Sequence, residues 1–147
     1  MAKTDNRTTG NRFEQDFAKV LSAHRFWAHV MQQNKAGQPA DIIAVKGKFH
    51  TLIYCKVCEN GVFPFSRGEE NQRLAMRMFT KRAKDLCFFA LKVIGEDGKE
   101  QVRMISLGRI ETLENRGYKQ LTHRTMDTET WSLQSWLDSS DTWAEDT

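Results

Sequence analysis

The sequence predicts a mixed α/β domain, a mixed sheet of about five strands flanked by helices, and three features carry that expectation. From Asn11 apolar residues recur at helical spacing, with Phe13, Phe17, Val20, Leu21 and His24 on one stripe. Two apolar runs, DIIAV at 41–45 and FHTLIYCKV at 49–57, are joined by the short link Lys46-Gly47-Lys48, a hairpin signal. The run LCFFALKVI at 86–94 is apolar throughout, as a strand covered on both faces would be.

Taken in order, residues 1–10 are polar and read as a loose basic arm, with Lys3 and Arg7 followed by Arg12 as phosphate-contact candidates. Asn11 is a plausible N-cap for the first helix. Glu14 lies at the edge of its apolar stripe, about 20° from Leu21 on a helical wheel, and faces either a site or solvent. Phe26 to Gln32 reads as a strand, and NKAGQP after it as a turn. In the hairpin, residues whose numbers sum to about 95 should pair, which sets Asp41 opposite Tyr54. Lys56 then shares their face, roughly 7 Å further along the strand.

After the loop ENGVFPF, Ser66 and Glu69 form an expected capping box for a helix over about 67–84. Its wheel places Leu74, Ala75 and Met78 inside and Arg73, Arg77, Lys81 and Lys84 on the opposite side, with Arg82 nearby and Gln72 at the border. That basic side is either a phosphate-tracking stripe or an ordinary solvated face. Strands are expected at 86–94 and 101–107, with GEDG turning between them, and short helices near 108–115 and 130–138. Trp131 and Trp136 read as core packing, and the acidic segment 139–147 as a solvated tail beyond a single domain at 11–138.

The chain has 147 residues, 39% of them apolar and 28% charged, which suits one domain with a single core. No run approaches the ~18 apolar residues that a membrane span requires, and the start MAKTDNRTTG lacks the apolar core of a signal peptide. Neither a membrane protein nor a secreted one is expected. Net charge is +3 but graded: nine Lys/Arg face four Asp/Glu in residues 1–56, eight face seven in 57–100, and five face eight in 101–147. A basic front suits a polyanionic partner. Three cysteines make no disulfide framework and point to a reducing compartment. The CKVC of Cys55 and Cys58 could be a redox pair or half a zinc site. However, it ends a strand-like run instead of opening a helix, and further ligands at zinc spacing are absent, which favours buried small side chains.

Metal-assisted phosphodiester cleavage needs carboxylates for a hard cation and a positive side chain near the attacking water or the phosphate. The hairpin supplies Asp41 and Lys56 on one face. Over about Asn11 to Phe79 the sequence resembles the PD-(D/E)xK nuclease superfamily, especially small Holliday-junction resolvases of the RecU type and related phage nucleases. NRFEQDF resembles the helix that carries a metal-site glutamate, here Glu14. Pro39-Ala40-Asp41 before IIAV resembles the Pro-x-Asp element, LIYCKV the acid-x-Lys strand, and FPFSRGEENQ the segment leading to a helix with a site-lining glutamine, here Gln72.

The resemblance implies a restriction-endonuclease-like core. It implies Mg²⁺ or Mn²⁺ held by Asp41, Glu14 and the backbone carbonyl of Cys55, with Lys56 as the catalytic lysine and Gln72 lining the site. It also implies branched or duplex DNA as substrate, a homodimer, and the cytoplasm of a bacterial or phage-infected cell. Tyr54 departs from the pattern, because it stands where the family carries Asp or Glu, and a phenol with a pKa near 10 is a poor ligand for magnesium. Three explanations stay open. The substitution disables an otherwise intact nuclease; or Glu59, Glu69 or Glu70 has taken over as the second carboxylate; or the scaffold keeps binding DNA or a protein partner without cutting.

Overall fold

The computed structural model describes residues 6–31 and 40–145, with side chains from Arg12 onward. In chain order the elements are α1 (Asn6–Ala23), β1 (Trp27–Val30), β2 (Ile42–Lys46), β3 (Phe49–Cys58), β4 (Phe63–Pro64), a 3-10 turn (Phe65–Arg67), α2 (Glu70–Phe79) and α3 (Ala83–Leu86). There follow β5 (Phe88–Ile94), β6 (Glu100–Ser106), α4 (Leu107–Asn115), β7 (Gln120–Leu121), α5 (His123–Glu129), β8 (Trp131–Ser132) and α6 (Leu133–Glu145). Among the described residues six strands form a mixed sheet in the order β1-β2-β3-β5-β6-β8, and β4 pairs with β7 beside it. The β3–β5 pair is parallel, because the chain crosses over through α2 and α3, while the other sheet pairs are antiparallel. No described helix is long and apolar enough to cross a membrane.

The sheet separates two cores. On one side Phe13, Phe17 and Leu21 of α1 and Trp136 and Leu137 of α6 pack on Ile42, Ala44, Ile53, Phe88 and Ala90. On the other, Met76 of α2 and Ile110 and Leu113 of α4 meet Leu52, Tyr54, Phe89, Leu91 and Val93. Strand β5 feeds both cores with alternate residues, so its continuous apolar run has the expected reason. The hairpin is also as expected: Gly47 takes a left-handed φ of 55° in the turn, and pairs from Lys46↔Phe49 to Ile42↔Ile53 all sum to 95. The ladder ends there, so Asp41 and Tyr54 are not a ladder pair.

Several boundaries differ from the expectation. Helix α1 begins at Asn6, inside the segment expected to be loose, and Asn11 is an interior residue instead of a cap; no proline stops the helix, and one glycine costs it only about 1 kcal/mol. Lys3, Pro39 and the rest of 1–5 and 32–39 lie outside the described residues. The single helix expected at 67–84 is three pieces, and Glu69 instead of Ser66 caps α2, with Gln72 closing the capping box. The break falls at Thr80, whose backbone is extended and whose hydroxyl accepts the Arg82 N–H, giving that donor an alternative to a helical partner.

The expected inner face of α2 is inverted. Leu74 and Met78 are 53% and 78% exposed, whereas Met76 is buried and Arg73 is only 8% exposed. Arg73 donates from Nε to the Gly68 carbonyl and from Nη2 to the Phe65 carbonyl, and Nη1 meets Glu114 Oε1 at 2.5 Å. Arg77 pairs with Glu111. These two guanidinium groups tie α2 to the turn before it and to α4; the expected four-residue basic stripe loses buried Arg73, while Arg77, paired with Glu111, stays exposed with Lys81 and Lys84.

The acidic tail is likewise not a tail. Helix α6 continues through 139–145, with Trp143 packed on Phe49 and Phe88 and Trp136 stacked on Phe26 at 5.7 Å. Lys46, buried, donates to Ser140 Oγ at 3.0 Å and pairs with Asp141, and the Lys48 N–H caps the Ala144 carbonyl at 2.9 Å. Trp131 and Trp136 belong to the core as expected.

Candidate active site

Strand β3 outruns its neighbour. Residues 49–53 pair with β2 and residues 53–58 with β5, so beyond Ile53 one edge of β3 no longer borders β2. Asp41 sits at this fork. Its N–H donates to the Ile53 carbonyl at 3.2 Å, its own carbonyl accepts the Met31 N–H at 2.9 Å, and its carboxylate Oδ2 accepts the Cys55 N–H at 2.8 Å. The side chain thus takes the place of the missing ladder bond. A strand residue directs its N–H and C=O to the same edge, so the Cys55 carbonyl is turned to the side that Asp41 occupies.

A cavity of about 670 Å³ opens at the fork, and Glu14, Asp41, Cys55, Lys56 and Gln72 all line it. They come from α1, the start of β2, β3 and α2. Glu14 is 8% exposed, and burial followed by the charge of Asp41 pushes its carboxyl up to about 7. Burial pulls the Lys56 ammonium below its ordinary value; Asp41 works against that shift, and Arg67 adds to it. The carboxylates of Glu14 and Asp41, a lysine of depressed basicity and the Gln72 amide therefore share one cleft, which Glu59, Asn60 and Arg67 also line.

Tyr54 does not line the cavity. It is 4% exposed, its ring stacks on Phe89 at 5.8 Å and 25°, and Lys56 Nζ lies over the ring at 5.9 Å from the centroid. Burial, then Asp41, pushes its hydroxyl up to about 12, so the phenol stays neutral. Of the three glutamates considered as replacements, Glu59 lines the cavity. The Glu69 carboxylate accepts a backbone N–H as the cap of α2, and Glu70 is exposed outside the lining.

The donors bear on a divalent cation in a specific way. Among the described residues no three His, Cys, Asp or Glu side chains gather into a metal-holding group. Magnesium, however, is commonly held by one or two carboxylates with retained waters and substrate phosphates. The crowding of Asp41 against Glu14 is a repulsion such a cation would relieve. The donors fit a hydrated ion completed by substrate and do not fit an all-protein cage.

The two cysteines of CKVC do not share a face of β3. Cys55 packs toward one core and Cys58 lies in the other, because residues three apart on a strand face opposite sides. All three cysteines are free thiols, and burial raises each: Cys58 and Cys87 to about 11, and Cys55 well above its ordinary value.

Sequence reasoning passed over two side chains in this cleft as binding groups, Arg67 and Asn60. Arg67 was legible only as the SRG that precedes the capping box. Its importance comes from a contact across the chain, Nη1 to the Val57 carbonyl at 2.8 Å.

No family model matches the chain, and no curated protein matches it. Among solved structures its fold is similar to that of Hjc, a Holliday junction resolvase from the archaeal hyperthermophile Archaeoglobus fulgidus, with a TM-score of 0.64 at 17% identity. The match covers 87% of this chain and 99% of that one. The chain therefore has the restriction-endonuclease-like fold, a mixed α/β arrangement with a six-stranded sheet flanked by helices.

Proposed function

We propose that this chain is a metal-dependent DNA endonuclease of the Holliday-junction-resolvase type, with cleavage weakened by Tyr54. The observation that carries the reading is the convergence of Glu14, Asp41, Lys56 and Gln72 from four elements on one cavity, in a fold similar to that of a junction resolvase. Branched or duplex DNA is its substrate, and a homodimer would set two such clefts against two strands.

In this reading Asp41 and Glu14 would hold Mg²⁺ or Mn²⁺ with the Cys55 carbonyl. When bound, such an ion would supply Lewis acidity toward the phosphate and a water of lowered pKa. The Cys55 N–H keeps the Asp41 carboxylate aimed at the fork. Lys56 faces the phosphate, and its lowered pKa suits it to move a proton as well as to stabilise developing charge. Gln72, held by its bond from the Glu69 N–H at 3.3 Å, lines the wall. Tyr54 contributes a neutral ring under Lys56 where a second carboxylate would have stood beside Asp41.

A silent DNA-binding or partner-binding protein is the second reading, and the burial of Tyr54 against Phe89 favours it. Cleavage of a four-way junction and of linear duplex with Mn²⁺ separates the two. The expected result is slow cleavage by the unmodified chain, abolished in Asp41→Ala and raised at least about tenfold in Tyr54→Glu. Circular dichroism would check that the buried glutamate leaves the fold intact. No cleavage by either the unmodified chain or a folded Tyr54→Glu protein would sink the nuclease reading and leave the binding one.

A further inference from the structure

Arg67 closes the 3-10 turn between β4 and α2 and lines the cavity with Asp41 and Lys56. Its Nη1 donates to the Val57 carbonyl, on the same edge of β3 as the Cys55 carbonyl because the two residues are two apart. That edge is the one β2 has left. The guanidinium therefore sits beside the fork, roughly 7 Å along the strand from the Cys55 carbonyl. A guanidinium has five N–H donors in a rigid plane; one is spent on the Val57 carbonyl, and the side chain also hydrogen-bonds Cys58, which leaves others for a ligand. The group is exposed, in contrast to Arg73, whose guanidinium is buried on protein partners. Its charge is felt by both Lys56 and Cys58.

Two cations of different shape thus flank the carboxylate pair, Lys56 as a point charge and Arg67 as a fork fixed by one bond to the backbone. The anchor of Arg67 at the Val57 carbonyl lies roughly 7 Å along β3 from the Cys55 carbonyl, an offset comparable to the separation of neighbouring phosphates on a nucleic-acid strand. We propose that Arg67 binds the phosphate next to the one that faces Asp41 and Lys56, and so sets which phosphodiester enters the cleft. The assignment rests on the nuclease function proposed above and adds a substrate contact to it. Bidentate N–H pairs on phosphate oxygens give direction as well as charge, so Arg67 fixes the path of the strand, while Lys56 serves the reacting group.

The test is binding of a four-way DNA junction in Ca²⁺, followed by fluorescence anisotropy over a range of KCl, for the unmodified chain, Arg67→Ala, Arg67→Gln and Arg109→Ala. Glutamine keeps an N–H donor for the Val57 carbonyl and removes the charge; Arg109 is exposed on α4, away from the cleft. The expected result is about tenfold weaker binding for both Arg67 variants, with the slope of log K against log[salt] reduced by about one, and little change for Arg109→Ala. A thermal melt identifies any variant that fails to fold, and the glutamine variant then carries the comparison. Unchanged affinity and slope in a folded Arg67 variant would overturn the assignment alone, as would an equal loss in Arg109→Ala, which would mean a diffuse field. Absence of DNA binding by the unmodified chain would overturn it together with the proposed nuclease function.

Discussion

In the folded chain Glu14 holds its proton until about pH 7, whereas an unperturbed glutamate releases it near 4.5. Between those values the folded state binds more protons than the unfolded one, so the contribution of Glu14 to stability falls as pH rises from about 4.5 to about 7. Glu14→Gln should match the parent below that window and exceed it by about 1–3 kcal/mol above it, since each tenfold change in proton affinity is worth roughly 1.4 kcal/mol. Urea denaturation on both sides of the window would read this, and an equal difference at every pH would contradict it. Such a carboxyl is kept at a cost in stability, as expected of a group that works on a ligand. At this scale periodicity left Glu14 an ambiguous edge residue beside the stripe, and only the family resemblance marked it as a metal-site candidate; its burial depends on the neighbouring sheet. Tyr54 was legible as a departure from a pattern, yet its ring's place against Phe89 was not.

Helix α2 shows how a wheel can invert an element. Counting apolar side chains put Leu74 and Met78 inside, but the helix has only ten residues, and its tertiary partners are a tight turn and α4. Arg73 finds two backbone carbonyls and Glu114 within reach, so its charge is buried with its donors satisfied. Arg73→Met, close in volume, should therefore cost about 2–4 kcal/mol by leaving these acceptors without their donor, while the salt dependence of DNA binding stays as in the parent. Chemical denaturation and anisotropy together check this; a reduced salt slope with unchanged stability would return Arg73 to the DNA surface. The acidic end of the chain makes the complementary case. Its charge suggested solvent, yet Asp141 pairs with Lys46 and Arg25, and the three tryptophans Trp131, Trp136 and Trp143 draw α6 onto the sheet. Trp136, Leu137 and Trp143 give α6 an apolar face in spite of its charges.

For the molecule as a whole, cation binding and folding are linked. An ion that binds the folded cleft and not the unfolded chain raises the melting temperature with its concentration. Mn²⁺ should do so in the parent, less in Glu14→Gln, and not at all in Asp41→Ala, as scanning calorimetry with an EDTA control would show; an equal rise in all three would place the ion elsewhere. The mixed α/β class, the hairpin register and the buried apolar strand within 86–94 were determined by the sequence itself. These rest on local periodicity, turn chemistry and strand alternation, which act between near neighbours. The six-strand order, the inward turn of Arg73, the docking of α6 and the place of Arg67 beside the Val57 carbonyl were decided only by tertiary structure. Each depends on a partner distant in sequence whose position follows from how the two cores close on the sheet, and no local pattern encodes that.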